Sequence, residues 1–186
     1  MANENIVNGV DVDRLAGTID LIKGQPDLAQ FQFRAQAEWV EGGHSRTTIQ
    51  GFHGAGAEDT SRATPFVLEG DEPPVLLGSN AGPNAVDANL HAVASCLMVG
   101  VAYNAAAMGI RVARLAFSLE GDIDLHGFLG LSDQIRPGYQ NVRLTYWMES
   151  DAAPEQLDAL WAHVQKTSPV LDILRNPVEV TIAVAG

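Results

Sequence analysis

The sequence predicts an α+β fold, with antiparallel strands and helices in one main domain, rather than a wound parallel sheet. Three observations predict it. Several segments alternate apolar and polar side chains and follow one another as hairpin neighbours. A single long run of small and apolar residues, Leu90-His91-Ala92-Val93-Ala94-Ser95-Cys96-Leu97-Met98-Val99-Gly100-Val101, reads as a helix. The resulting order, strand-strand-strand-helix-strand-strand-helix-strand, lacks the regular β-α-β alternation of parallel sheets.

The N-terminal part, residues 1–30, reads as a helical extension. Val12, Leu15, Ile19 and Ile22 recur at helical spacing, Gly24 is a stop, and Pro26 opens a second arm of a short helical hairpin. The main domain, residues 31–186, begins with Phe31 to Val40, whose alternation is that of a half-buried strand. Glu41-Gly42-Gly43 turns it back into Ser45 to Phe52, and Thr64 to Glu69 is a third strand. Gly54-Ala55-Gly56 reads as a turn. After the turn-rich Pro73-Pro74 and Gly82-Pro83-Asn84 comes the apolar helix. Asn84 is its N-cap, Asp87 a first-turn anion that complements the exposed amides, and Gly109 its stop after Met108.

Val112 to Ile123 and Asn141 to Met148 read as strands flanking an irregular connection, Gly127 to Tyr139. Ser150 to Glu155 opens a helix bearing Leu157, Leu160, Trp161 and Val164 that stops near Lys166-Thr167. Ser168-Pro169 caps a short third helix, Val170 to Leu174. Pro177 to Ala185 alternates and is expected to close the fold as a final strand.

The chain has 186 residues, a formal net charge of −12 and one cysteine. That charge opposes phosphate backbones and anionic lipid, so neither nucleic acid nor a membrane surface is an expected partner. The longest apolar stretch, Ala92 to Tyr103, reads as too short to span a bilayer, and Met1 to Asn5 lacks the basic start of a secretory leader. One free cysteine suits a reducing compartment, so the cytoplasm is the expected location.

Cys96 has two readings. Free cysteine often serves as a small buried hydrophobe. Alternatively it is a reactive centre whose partners come from outside the chain. His91 precedes Cys96 by five positions, roughly 140° around the helix, so the two do not form a nucleophile pair. The five histidines, His44, His53, His91, His126 and His163, lack metal-ligand spacing, and no metal or cofactor is expected. No serine stands in a nucleophile-elbow pattern. Trp147 and Trp161 read as core residues.

Three segments together resemble the OsmC/Ohr family of cysteine-dependent hydroperoxide reductases. They are Gly82-Pro83-Asn84-Ala85-Val86-Asp87 leading into Ala94-Ser95-Cys96, then Arg136-Pro137-Gly138-Tyr139, and Lys166-Thr167-Ser168-Pro169-Val170. The similarity runs from about Phe31 to the C-terminus. It implies an OsmC-like intertwined homodimer, with antiparallel sheets wrapped around two central helices and the sites at the subunit interface. Cys96 then takes the place of the attacking cysteine and Asp87 that of an acidic partner, one carbon shorter than the family's glutamate. Ser168 stands where the resolving cysteine would be. The arginine that polarises the peroxide in the family would fall near Leu76, and no arginine lies between Arg62 and Arg111. Arg136, Arg62 and Arg46 are the candidate cations, able to arrive across a dimer interface. The function implied is one-cysteine reduction of organic hydroperoxides with an external thiol reductant. The alternative is a non-catalytic dimer that binds an apolar small molecule in its interface pocket.

Overall fold

The computed structural model of the chain describes residues 5–185. The reading of Met1 to Asn5 as free of a leader therefore lies almost wholly outside the described residues. The chain forms two compact units, one of the N-terminal residues through Val12 together with everything from Leu90 onward, the other of Asp13–Asn89.

In the first unit, β1 (Ile6–Val7) and β2 (Val10–Asp11) make a minimal hairpin. Asn8 and Gly9 sit at its turn with φ of 54° and 77°, the left-handed pair that a two-residue hairpin turn requires. The Asn8 side chain then acts at long range. Its Nδ2 donates to the Ile110 carbonyl at 2.9 Å and its Oδ1 accepts from the Val112 amide at 2.9 Å. Asn8→Ala removes both bonds and puts a β-branched-free but ordinary residue in a left-handed site. A loss of about 2 kcal/mol is expected, measured as a lowered urea midpoint with unchanged slope.

The helix α2 (Ala85–Ala107) follows α1 (Val12–Gly24) in chain order and is the centre of the unit's core. Its end is set locally. Gly109 is left-handed at φ 71°, the Gly109 amide donates to Ala106 at 3.0 Å and the Ile110 amide to Ala105 at 2.8 Å, which satisfies the last carbonyls. Val93, Leu97, Val101 and Ala105 recur every four residues and form its buried stripe. They pack with Ile110 and with Leu160, Trp161 and Val164 of α4 (Pro154–Thr167). The floor is a two-stranded antiparallel sheet, β8 (Val112–Asp122) against β9 (Asn141–Ser150), paired Phe117 to Tyr146 and Leu119 to Leu144. Alternate β8 residues Leu115, Phe117 and Leu119 face the cluster. Trp161 meets Tyr146 at 4.2 Å and Phe117 at 5.9 Å between ring centres, which agrees with its reading as core; Trp147 is instead 54% exposed. Between β8 and β9 the connection is irregular as expected, apart from the one-turn α3 (Leu125–Phe128).

The second unit holds an antiparallel sheet ordered β3-β4-β7, from β3 (Gln36–Glu41), β4 (His44–Ile49) and β7 (Phe66–Gly70). A separate hairpin joins β5 (Phe52–Gly54) to β6 (Ala57–Asp59) through the turn at Ala55-Gly56. Neighbouring residues Val67 and Leu68 point to opposite faces of the sheet, yet are 51% and 56% exposed.

Several expectations need correction. The N-terminal helical hairpin is one helix, α1, and a single 3-10 turn at Pro26–Ala29, because Pro26 and the lack of further helical periodicity leave the second arm one turn long. The first strand starts at Gln36, since Phe31 and Phe33 leave the ladder to pack against Phe52, with ring centres 6.2 and 5.4 Å away. The second strand breaks at Gln50-Gly51 and its end joins β6. Pro177 to Ala185 belongs to no strand, because its amides find no ladder in the chain. Finally, the apolar run is the middle of a 23-residue helix whose best 18-residue window has a mean hydropathy of 1.5, so α2 is long and apolar enough to cross a bilayer. Its core stripe against α4 and β8 accounts for part of that apolarity.

Candidate functional site

Where α4 passes α2, a groove of about 480 Å³ opens between them. Gly100 permits the approach: a β-carbon there would lie 3.1 Å from Val164 Cγ1. One wall is the α2 row Ser95, Cys96, Val99, Gly100, Tyr103 and Asn104. The other is the corner where α4 ends and α5 (Pro169–Arg175) begins, with Val164, Thr167, Ser168 and Pro169. None of these side chains is charged.

Cys96 is half-buried and unpaired by any disulfide. Its Sγ lies 3.2 Å from Ser168 Oγ, across 72 residues of chain. Ser168 is 6% exposed and reaches this place as the cap of α5, accepting from the Leu171 amide at 3.3 Å. Ser168 thus caps α5 as expected, and the same hydroxyl reaches Cys96.

Three further polar side chains of the groove are differently engaged. Thr167 Oγ1 donates to the His163 carbonyl at 2.9 Å, and Asn104 Nδ2 to the Gly100 carbonyl at 2.8 Å. Ser95 Oγ lies 3.4 Å from His91 Nε2. Sequence reading weighs His91 only against Cys96 and overlooks Ser95, although a spacing of four on a helix is signal enough.

The other named residues are not gathered here. Asp87 sits in the first turn of α2, where Asn84 Oδ1 accepts from its amide at 2.8 Å. It precedes Cys96 by nine positions, about 13 Å along the axis and on the opposite face. Arg46 Nε donates to Glu69 Oε1 at 2.8 Å, and Arg46, followed by His44, holds the Glu69 carboxyl below its ordinary range. The Arg62 guanidinium lies 5.0 Å over Phe52 and 5.5 Å over Phe66, while its Nη1 donates to the Gln50 carbonyl. Arg136 lies in the loop before β9, where its carbonyl accepts from Gln140 Nε2 at 3.2 Å. No arginine lines the groove. Among the described residues, no three His, Cys, Asp or Glu side chains gather as metal ligands.

The loop before α2 has its own anchor, which nothing in the sequence pattern signals. Asp71, 4% exposed, accepts from the Glu72 amide at 2.8 Å, the Ser79 amide at 2.9 Å, the Ser79 hydroxyl at 2.7 Å and the Ala81 amide at 3.0 Å. These bonds, that of Ala81 foremost, hold its carboxyl far below the ordinary carboxylate range. Leu76 ends a 3-10 turn, Pro74–Leu76, inside this loop.

Comparison with known proteins gives one family. The model of the family described as OsmC-like protein matches residues 78–183, more than half of the chain. An OsmC-like protein from Mycoplasma pneumoniae has a similar structure, with a TM-score of 0.58 at 16% identity, covering 78% of this chain and 89% of its own. An organic hydroperoxide resistance protein OsmC from Legionella pneumophila superimposes with a TM-score of 0.54 at 17% identity, covering 79% and 91%. An OsmC-like protein of unknown function from Vibrio cholerae gives 0.51 at 12%, covering 76% and 92%. At these identities the likeness is one of fold. No curated protein matches the sequence.

Proposed function

Because the chain belongs to the OsmC-like family, we propose that it is a thiol-dependent reductase of organic hydroperoxides, acting as a homodimer with Cys96 as its only redox thiol. The observation that carries this reading is the opening of Cys96 onto a largely apolar groove with a hydroxyl 3.2 Å from its sulfur. An alkyl hydroperoxide has a shape and polarity that suit such a groove. The Cys96 thiolate attacks the terminal peroxide oxygen, the O–O bond breaks, and an alcohol departs while the sulfur becomes a sulfenic acid. Ser168 cannot close a disulfide. An external thiol must therefore condense with the sulfenic acid, releasing water, and a second thiol then frees Cys96.

Homodimerisation is supported by surfaces that one copy leaves in water. The β3-β4-β7 sheet exposes Trp39, Val40, Phe66, Val67 and Leu68, α2 exposes Met98, Val99 and Tyr103, and Val178, Val180, Ile182 and Val184 are 56 to 97% exposed. A second copy is the partner that the family fold offers for such surfaces. It would also bring the cation that attack on a peroxide needs, with Arg136, Arg62 and Arg46 as the candidates. The reduced thiol suits the cytoplasm, without nucleic acid or membrane as partner.

Consumption of cumene hydroperoxide with dithiothreitol as reductant tests the assignment. Cys96→Ser is expected to bring the rate down to that of the uncatalysed mixture; a variant that keeps its activity rejects Cys96 as the reacting group. The uncharged lining of the groove favours a second reading, a binding protein for an apolar small molecule. Mild peroxide followed by a sulfenic-acid trap separates the two, because a binding protein leaves Cys96 at its original mass while still taking up an apolar fluorescent probe.

A further inference from the structure

We propose that Ser95, oriented by His91, delivers the proton to the alkoxide leaving this groove. The inference rests on the hydroperoxide-reductase reading and assigns the residue that completes its first step. Attack on an alkyl hydroperoxide expels an alkoxide, a poor leaving group unless it is protonated as the O–O bond breaks. The groove holds no charged side chain to do this.

Its polar groups can be told apart by what already holds them. Thr167 spends its hydrogen on a backbone carbonyl of its own helix, and Asn104, which donates to the Gly100 carbonyl, is an amide and has no acidic proton to give. Ser168 is committed to the Cys96 sulfur and the Leu171 amide. The Tyr103 hydroxyl, on a residue two turns beyond Cys96 and on the same helix face, is the rival donor, to be separated from Ser95 by substitution. Ser95 is adjacent to Cys96 on the same wall, and its oxygen is 3.4 Å from His91 Nε2. When His91 carries its hydrogen on Nε2 and donates to Ser95 Oγ, the Ser95 hydrogen is released towards the groove. Ser95 is then the proton donor and His91 a positioning residue that resupplies it.

The step balances as follows. The thiol first loses its proton to solvent. The thiolate forms an S–O bond to the terminal peroxide oxygen, and the O–O pair moves onto the alkoxide oxygen. The Ser95 hydrogen passes to that oxygen, and the His91 Nε2 hydrogen replaces it as His91 Nδ1 takes a proton from solvent, so that the ring stays neutral throughout. Sulfur is oxidised by two electrons and the peroxide is reduced by two.

Leaving-group dependence tests this. tert-Butyl hydroperoxide expels an alkoxide, whereas peracetic acid expels acetate, which needs no proton. In single-turnover oxidation of Cys96, Ser95→Ala is expected to lose about tenfold or more with tert-butyl hydroperoxide and to change little with peracetic acid. Ser95→Thr restores the hydroxyl and the rate, and His91→Ala shows a smaller loss of the same selectivity, whereas a selective loss found in Tyr103→Phe instead assigns the proton to Tyr103 and overturns the role of Ser95. Equal losses on both oxidants, or no loss on either, overturn the role of Ser95 and leave the reductase reading intact. A native chain that is oxidised by neither compound ends both.

Discussion

Ser168→Cys is expected to convert the chain from a one-thiol to a two-thiol system. With the native groups 3.2 Å apart, a sulfur in place of Ser168 Oγ starts close to the ~2.05 Å of a disulfide. Peroxide treatment of this variant should end in an internal disulfide, and the sulfenic-acid trap that labels the native chain should fail to label it. Turnover should then be driven by a dithiol without the slow condensation of an external monothiol. The stability balance favours the bond. Loss of the Ser168 cap on α5 costs about 1 kcal/mol, whereas closing a loop of 72 residues contributes about 4 kcal/mol in the chain-entropy picture. Thiol counting and the thermal midpoint with and without reductant read both effects. A variant that keeps two free thiols after oxidation would show that Cys96 and position 168 do not meet in solution.

Asp71→Asn is expected to lower the thermal midpoint by several degrees near neutral pH. An amide cannot serve all four donors, because its nitrogen must face at least one of the amide hydrogens that the carboxylate now accepts. The loop it anchors contains Leu77 and Asn80 at φ of 68° and 58°, and Gly78, where a β-carbon would collide with the Glu72 carbonyl. Left-handed backbone at a leucine persists only where its surroundings hold it, and Asp71 is what holds this loop. The pH dependence follows from the depressed carboxyl. A group whose folded pKa lies below its unfolded value of 3.8 contributes stability that is fully present above that value and fades as pH falls towards the folded one. The gap between native and Asp71→Asn midpoints should therefore be constant from about pH 7 to about pH 5 and narrow below about pH 4. A gap that does not respond to acid would mean that the hydrogen-bond geometry, not the charge, supports the loop.

The site was legible in its parts and not in its assembly. Asn84, Gly109 and the Ser168-Pro169 pair mark helix ends by interactions within a few residues, and each acts as its type implies. The Ser95 and His91 contact is equally local, a spacing of four on one helix. Asp71 is different, since its donors lie up to ten residues away in a loop without periodicity.

Local chemistry, then, was enough to set α2, α4 and α5, the β8 and β9 strands, the lone thiol and the likeness to a family of thiol enzymes. Short-range caps and alternation need no knowledge of the rest of the chain. Packing had to decide the rest. Pro177 to Ala185 has the alternation of a strand yet lacks one, because a ladder requires a second backbone and alternation cannot supply it. Cys96 and Ser168 meet across 72 residues because Gly100 lets α4 settle close on α2, and a closeness made by the absence of a side chain appears only once both helices are in place.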